Sequence, residues 1–319
     1  MSFLLGTTLL AIVTALACAL PGAFVVLRRN SMLVEGIAHA VLPGIVVGFA
    51  LTHDLNSPWL IFGAALAGLL VVLSNEWLIR TGLLIGDAPQ GLVFPALFAG
   101  GVILLSLDLS HVHLHTEVIL VGDLNLAAFR QLVVNDVSIG PRYLYVMLCV
   151  LAVNIAFIAA LYPKLKITTF DPEFAATLGL RTQLLNTAFM FLVSVTVVAA
   201  FHAAGALLVI SLLVVPAATA HLISHRLSVM LGLTAAFAVV GTLSGFWIAY
   251  VLNAATSAGI ALFYGVMFVA VAFADKLATK MRRKRRAEVD KSAQGTKPAV
   301  CEAKQLDRSR SKNKPQAVE

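Results

Sequence analysis

The chain has 319 residues, 60% of them hydrophobic and only 12% charged, with a mean hydropathy of +0.92, an apolar excess that excludes a soluble globular domain. The net charge of +7 is unevenly held: from Lys276 onward 14 Lys and Arg face 5 Asp and Glu (net +9), while everything before holds 9 against 11 (net −2). The basicity therefore belongs to a tail and implies no nucleic acid, and the dispersed Cys18, Cys149 and Cys301, with no C-x-x-C pair, argue against a disulfide framework or a thiolate metal site.

A bilayer core takes about 20 apolar residues per helix. Runs of that kind fall near 3–27, 33–52, 58–79, 90–107, 142–163, 183–200, 203–223, 228–251 and 258–275. The expected fold is an all-α polytopic membrane protein of eight or nine transmembrane helices with a short cytosolic helix. The count turns on His202-Ala-Ala-Gly205, where one long helix or two shorter ones fit equally. No Lys or Arg precedes the first run, and Arg28 and Arg29 follow it, so it reads as a membrane helix rather than a secretory leader.

The second run holds Glu35-Gly-Ile-Ala-His39-Ala-Val-Leu-Pro43-Gly44. Glu35 and His39 share a helix face. At about 1.5 Å per residue from Arg29 they lie roughly 9 Å and 15 Å deep in a core about 30 Å thick. Ionisable groups at such depth usually face a cavity or pathway. Pro43 denies His39 its backbone partner, freeing a carbonyl beside the imidazole and predicting a kink. Carboxylate, imidazole and carbonyl suit a borderline divalent ion such as Mn, Zn or Fe. The plainer alternative is a carboxylate favoured by the helix dipole and a histidine bonded to a neighbouring helix. Two ligands are too few to hold an ion, so a site needs donors from elsewhere or from a second copy. Ala40, Gly44 and Gly48 form a small-residue seam for close helix approach.

Between the fourth and fifth runs, His111, His113 and His115 alternate near Asp108, Glu117 and Asp123. They form either an outer metal entrance or a solvated loop. Then comes Phe170-Asp-Pro-Glu-Phe-Ala-Ala-Thr-Leu-Gly179-Leu. Asp171 is a good N-cap, Pro172 fits the first helical position, Glu173 suits the dipole and Gly179 suits a left-handed C-cap. Phe174 and Leu178 share the apolar face of this short helix, which either docks in a partner's groove or packs on its own chain. The chain's Lys and Arg bias places the loops at Arg28/Arg29, Arg80, Lys164–Arg181 and Arg226, and the C-terminus, in the cytosol. Residues 1–278 form the membrane domain. Residues 279–319 form a basic tail, too polar to fold, whose Lys280–Arg286 cluster suits anionic lipid headgroups.

The stretches Arg28–Gly44 and FDPEFAATLGL, together with Glu117-Val-Ile-Leu-Val-Gly-Asp-Leu124 and Ala206–Ala220, resemble the membrane permeases of the zinc/manganese/iron class of ABC importers. The likeness spans about residues 5–275. It implies a bacterial cell-membrane permease that dimerises with itself or with a homologous permease. It also implies a cytosolic ATPase recruited through the Asp171–Gly179 segment, an extracytoplasmic metal-binding protein as supplier, and a transported ion without a tightly bound cofactor. In that family the second helix usually reads Gly-Asp-x-x-x-His, with both side chains on the ion pathway. Here Glu35 lengthens the acid by one methylene. No G-x-x-x-x-G-K-[ST] phosphate loop occurs, so ATP hydrolysis falls to a separate subunit. A permease for metal chelates such as siderophores or cobalamin is the nearest rival, and a cation/proton antiporter with Glu35 as proton carrier is another.

Overall fold

The computed structural model describes residues 3–52, 58–84, 88–108, 124–129, 131–134 and 137–281. In chain order these form α1 (Phe3–Leu27), α2 (Ser31–Thr52), α3 (Pro58–Thr81), α4 (Ala88–Asp108), the short α5 (Leu124–Phe129), β1 (Gln131–Val134), β2 (Val137–Pro141), α6 (Arg142–Phe170), the short α7 (Pro172–Thr177), α8 (Thr182–Ala204), α9 (Ala206–Ile223), α10 (Leu227–Val251) and α11 (Thr256–Met281). Eight of the described helices are long and apolar enough to cross a membrane, and α4 contributes a shorter apolar stretch, Ala88–Leu104. The chain is a polytopic helical membrane protein. Its two compact units are Met1–Val269, described below, and Ala270–Glu319, of which the last turns of α11 are described.

The ambiguous break at His202–Gly205 is real. Gly205 takes φ 78° and ψ 165°, closing α8 with a bond from its N–H to Phe201 O at 2.9 Å and letting α9 start at once. A side chain there would be strained, which is why a glycine divides the two helices. The small antiparallel hairpin β1–β2 was not anticipated by an all-helical reading. Its Val133, Val134 and Val137 favour extended backbone, and the pairing Val134↔Val137 slips between Leu132 and Val133.

Helix α1 is the central post, packed by α6, α9 and α10, with Leu10, Ala15, Cys18 and Phe24 fully buried. Where no water competes, side-chain amides and hydroxyls tie helices together. Asn154 of α6 donates to Ala17 O of α1 at 2.9 Å and shares a bond with Thr196 of α8 at 3.0 Å. The Tyr264 hydroxyl of α11 donates to Ala238 O of α10 at 2.6 Å. The Ala40–Gly44–Gly48 seam of α2 is also occupied as expected. A Cβ on Gly44 would sit 2.5 Å from Ala64 Cα, and one on Gly63 would sit 2.8 Å from Gly44 O, so the α2 and α3 backbones touch.

Candidate functional site

Local chemistry fixes how α2 enters the bundle. After α1 the chain turns through Arg29 in the left-handed region (φ 58°), and Asn30 N–H returns to Val25 O at 3.0 Å. Arg28, at this corner, points inward. Its Nε donates to Thr169 Oγ1 (3.1 Å), Nη1 to Asn186 Oδ1 (2.9 Å) and Nη2 to Thr168 Oγ1 (3.3 Å), and its guanidinium lies 4.8 Å from the centre of the Phe189 ring. Asn186 passes the link on, its Nδ2 donating to Glu76 Oε1 at 2.5 Å. Burial lowers the Arg28 guanidinium to about 10, still a cation at neutral pH.

One and two turns further along α2, Glu35 and His39 are both half-buried. The His39 imidazole stacks on Phe94 (centroids 5.5 Å, interplanar 21°) and meets Phe98 edge-on (5.8 Å, 82°). Both phenyl rings belong to α4, which runs parallel to α2: a Cβ on Gly101 would lie 2.5 Å from Pro43 Cβ, one turn beyond. Two phenyl rings thus flank the imidazole with apolar carbon. Helix α2 continues through Pro43, whose missing N–H leaves His39 O without its usual helical donor. Among the described residues no group of three or more His, Cys, Asp or Glu is assembled. Glu35 and His39 offer one carboxylate and one imidazole, donor types that a borderline divalent ion accepts.

The second constellation is α7. Asp171 Oδ1 accepts from Phe174 N at 2.9 Å as the N-cap, with Pro172 in the first turn and Glu173 beside it. Gly179 takes φ 73°, and Gly179 N–H to Ala176 O (3.0 Å) with Leu180 N–H to Ala175 O (3.2 Å) closes the end. Ala175 is the buried anchor, whereas Phe174 is 53% and Leu178 54% exposed. Packing on its own chain therefore does not use those two side chains, and Phe170, at the end of α6, is equally exposed.

His111, His113 and His115 lie outside the described residues, as do Glu117–Asp123 and the tail beyond Met281. Of the remaining histidines, His202 packs on Tyr143 (5.2 Å) at one end of the bundle, and His221 pairs edge-on with His225 (5.5 Å). Sequence reading missed the Arg28–Asn186–Glu76 chain. The only sequence signal was the polarity of Asn186 in an apolar run. It missed the two phenyl rings as well, since Phe94 and Phe98, four apart, look like any helical packing stripe.

The sequence pattern of the ABC 3 transport family matches residues 1–275. The manganese transport system membrane protein MntD of Bacillus subtilis (strain 168) is 38% identical over 257 residues, 81% of this chain and 87% of its own length. The zinc transport system membrane protein TroD of Treponema pallidum (strain Nichols) is 40% identical over 263 residues, 82% of this chain and 71% of its own. Among solved structures, PsaBC from Streptococcus pneumoniae in complex with Fab is similar with a TM-score of 0.69 and 27% identity, covering 85% of this chain and 91% of that one.

Proposed function

Because the chain belongs to the ABC 3 transport family, we propose that it is the permease subunit of an ATP-driven importer of divalent transition metal ions, Mn, Zn or Fe, which pass Glu35 and His39 of α2. The observation that carries this reading is the His39 imidazole, seated between Phe94 and Phe98 one turn from a carboxylate. The manganese and zinc systems of the two relatives point to the same cargo class. Loose ligation by an acid, an imidazole and a freed carbonyl suits an ion that must leave again.

In this reading the Arg28 end of the bundle faces the cytosol and α7 offers Phe174 and Leu178 to a cytosolic ATPase subunit. An extracytoplasmic metal-binding protein delivers the ion at the His202 end. A second permease, identical or homologous, completes the dimer. The C-terminus is cytosolic, and residues 279–319 form a separate basic tail that meets anionic lipid headgroups of the cell membrane. His111, His113 and His115 serve the outer entrance.

Reconstitution of the chain with its ATPase in vesicles tests the reading. Accumulation of Mn or Zn that needs ATP supports it. Ion movement by the chain alone, driven by a proton gradient, would replace it with the antiporter, and transport of a siderophore or cobalamin in place of the free ion would replace it with the chelate permease.

A further inference from the structure

Two buried amide oxygens on the helices packed against α2 have no hydrogen-bond partner among the described residues. Asn75 of α3 is 4% exposed and Gln90 of α4 is 5% exposed, and among the described residues neither Asn75 Oδ1 nor Gln90 Oε1 has a hydrogen-bond partner. Buried acceptors of this kind are normally satisfied, so each calls for an explanation.

Helix register places them together. A Cβ on Gly36 would lie 3.4 Å from both Val71 Cγ1 of α3 and Phe94 Cβ of α4, the same Phe94 that stacks on His39. Asn75 follows Val71 by four residues and Gln90 precedes Phe94 by four, so each occupies its neighbour's face one turn along. Helix α3 runs toward the Arg28 end and α4 away from it. Both carboxamides consequently fall one turn beyond Gly36 on the Arg28 side, one from each wall of the same junction. Glu35 lies one turn from His39 in that direction, and helical side chains lean back toward the start of their helix.

We propose that Asn75 Oδ1 and Gln90 Oε1, with the Glu35 carboxylate, form an oxygen-donor station that receives a divalent cation from His39 on its way to the Arg28 end. The station rests on the permease reading above and adds donors from within this chain to a pair that lacks them. Two neutral amides and one carboxylate set a single negative charge against the two positive charges of the ion. Oxygen donors of this type suit Mn, whereas Zn gains more from imidazole and thiolate. Gln90 and Asn75 thereby bias the pathway toward the harder ion.

The test is calorimetric titration of the purified full-length chain in detergent, with Mn and Zn as separate probes. Gln90→Leu and Asn75→Leu are expected to bind Mn about tenfold more weakly while Zn changes much less, and Gln90→Glu, which restores an oxygen, to bind Mn at least as tightly as wild type. Wild-type affinities for both ions in the Leu variants would overturn the station. Should the Leu variants unfold, Gln90→Glu decides alone: a Mn/Zn affinity ratio shifted toward Mn supports the station, and an unchanged ratio overturns it. His39→Ala in the same titration separates the two claims. If it binds as wild type, the pathway reading fails. If it loses binding while both Leu variants and Gln90→Glu keep the wild-type Mn/Zn ratio, only the station fails.

Discussion

Arg28 donates to Asn186 Oδ1 at 2.9 Å across 158 residues of sequence, and Asn186 in turn donates to Glu76. This chain of bonds joins the corner that launches α2 to α8 and α3. Through Thr168 and Thr169 it also reaches the residues just before α7.

Arg28→Ala should cost about 1–2 kcal/mol of stability, because it removes three hydrogen bonds to the half-buried Asn186, Thr168 and Thr169. Arg28→Lys should cost about half of that, keeping the charge but losing the three-way fork. Glu76→Gln should be nearly neutral, since an amide oxygen still accepts from Asn186. Thermal unfolding of the solubilised protein checks the order. Burial lowers the folded guanidinium to about 10, below its ordinary value, so the folded state binds this proton less tightly. The contribution of Arg28 to stability is accordingly flat around neutral pH and rises only as pH climbs above about 10.

Phe174→Asp and Leu178→Asp should each abolish co-purification of the ATPase subunit while leaving the solubilised chain as stable as wild type, because both side chains are exposed here. Asp171→Ala should weaken the same association more mildly. Losing an N-cap costs about 1 kcal/mol, a large fraction of what holds a six-residue helix.

Gly44→Leu should prevent accumulation of folded protein in the membrane, since even its Cβ would meet the Ala64 backbone at 2.5 Å. Gly100→Ala is the control: a Cβ there meets nothing within 4 Å, and expression and unfolding temperature should match wild type. Fluorescence-detected size-exclusion of the two variants makes the comparison.

Glu35→Asp should keep transport but shift the balance between Mn and Zn, because the charge stays while the carboxylate retreats by one methylene. Metal-dependent growth of strains carrying either residue reads the shift directly.

Much of this architecture was legible in the sequence because membrane burial writes itself locally. Every apolar run became a helix, and the caps Asp171 and Gly179 act where helix chemistry requires them. The Gly205 break needed three dimensions, since apolarity is continuous across it and only the backbone angle of one residue divides α8 from α9. The hairpin at Gln131–Pro141 escaped because its valines are as apolar as their helical neighbours. For the candidate site, Glu35, His39 and Pro43 announced themselves by being ionisable or helix-breaking at depth. Phe94, Phe98, Asn75, Gln90 and the Arg28 partners did not, because what matters in each is its neighbour across a helix interface, which no local spacing encodes.

The most direct test of the pathway is cellular manganese and zinc accumulation by His39→Ala, at membrane levels matched to wild type and with the ATPase still bound. The account predicts accumulation no higher than in a strain lacking the gene. Wild-type accumulation by that variant would contradict it.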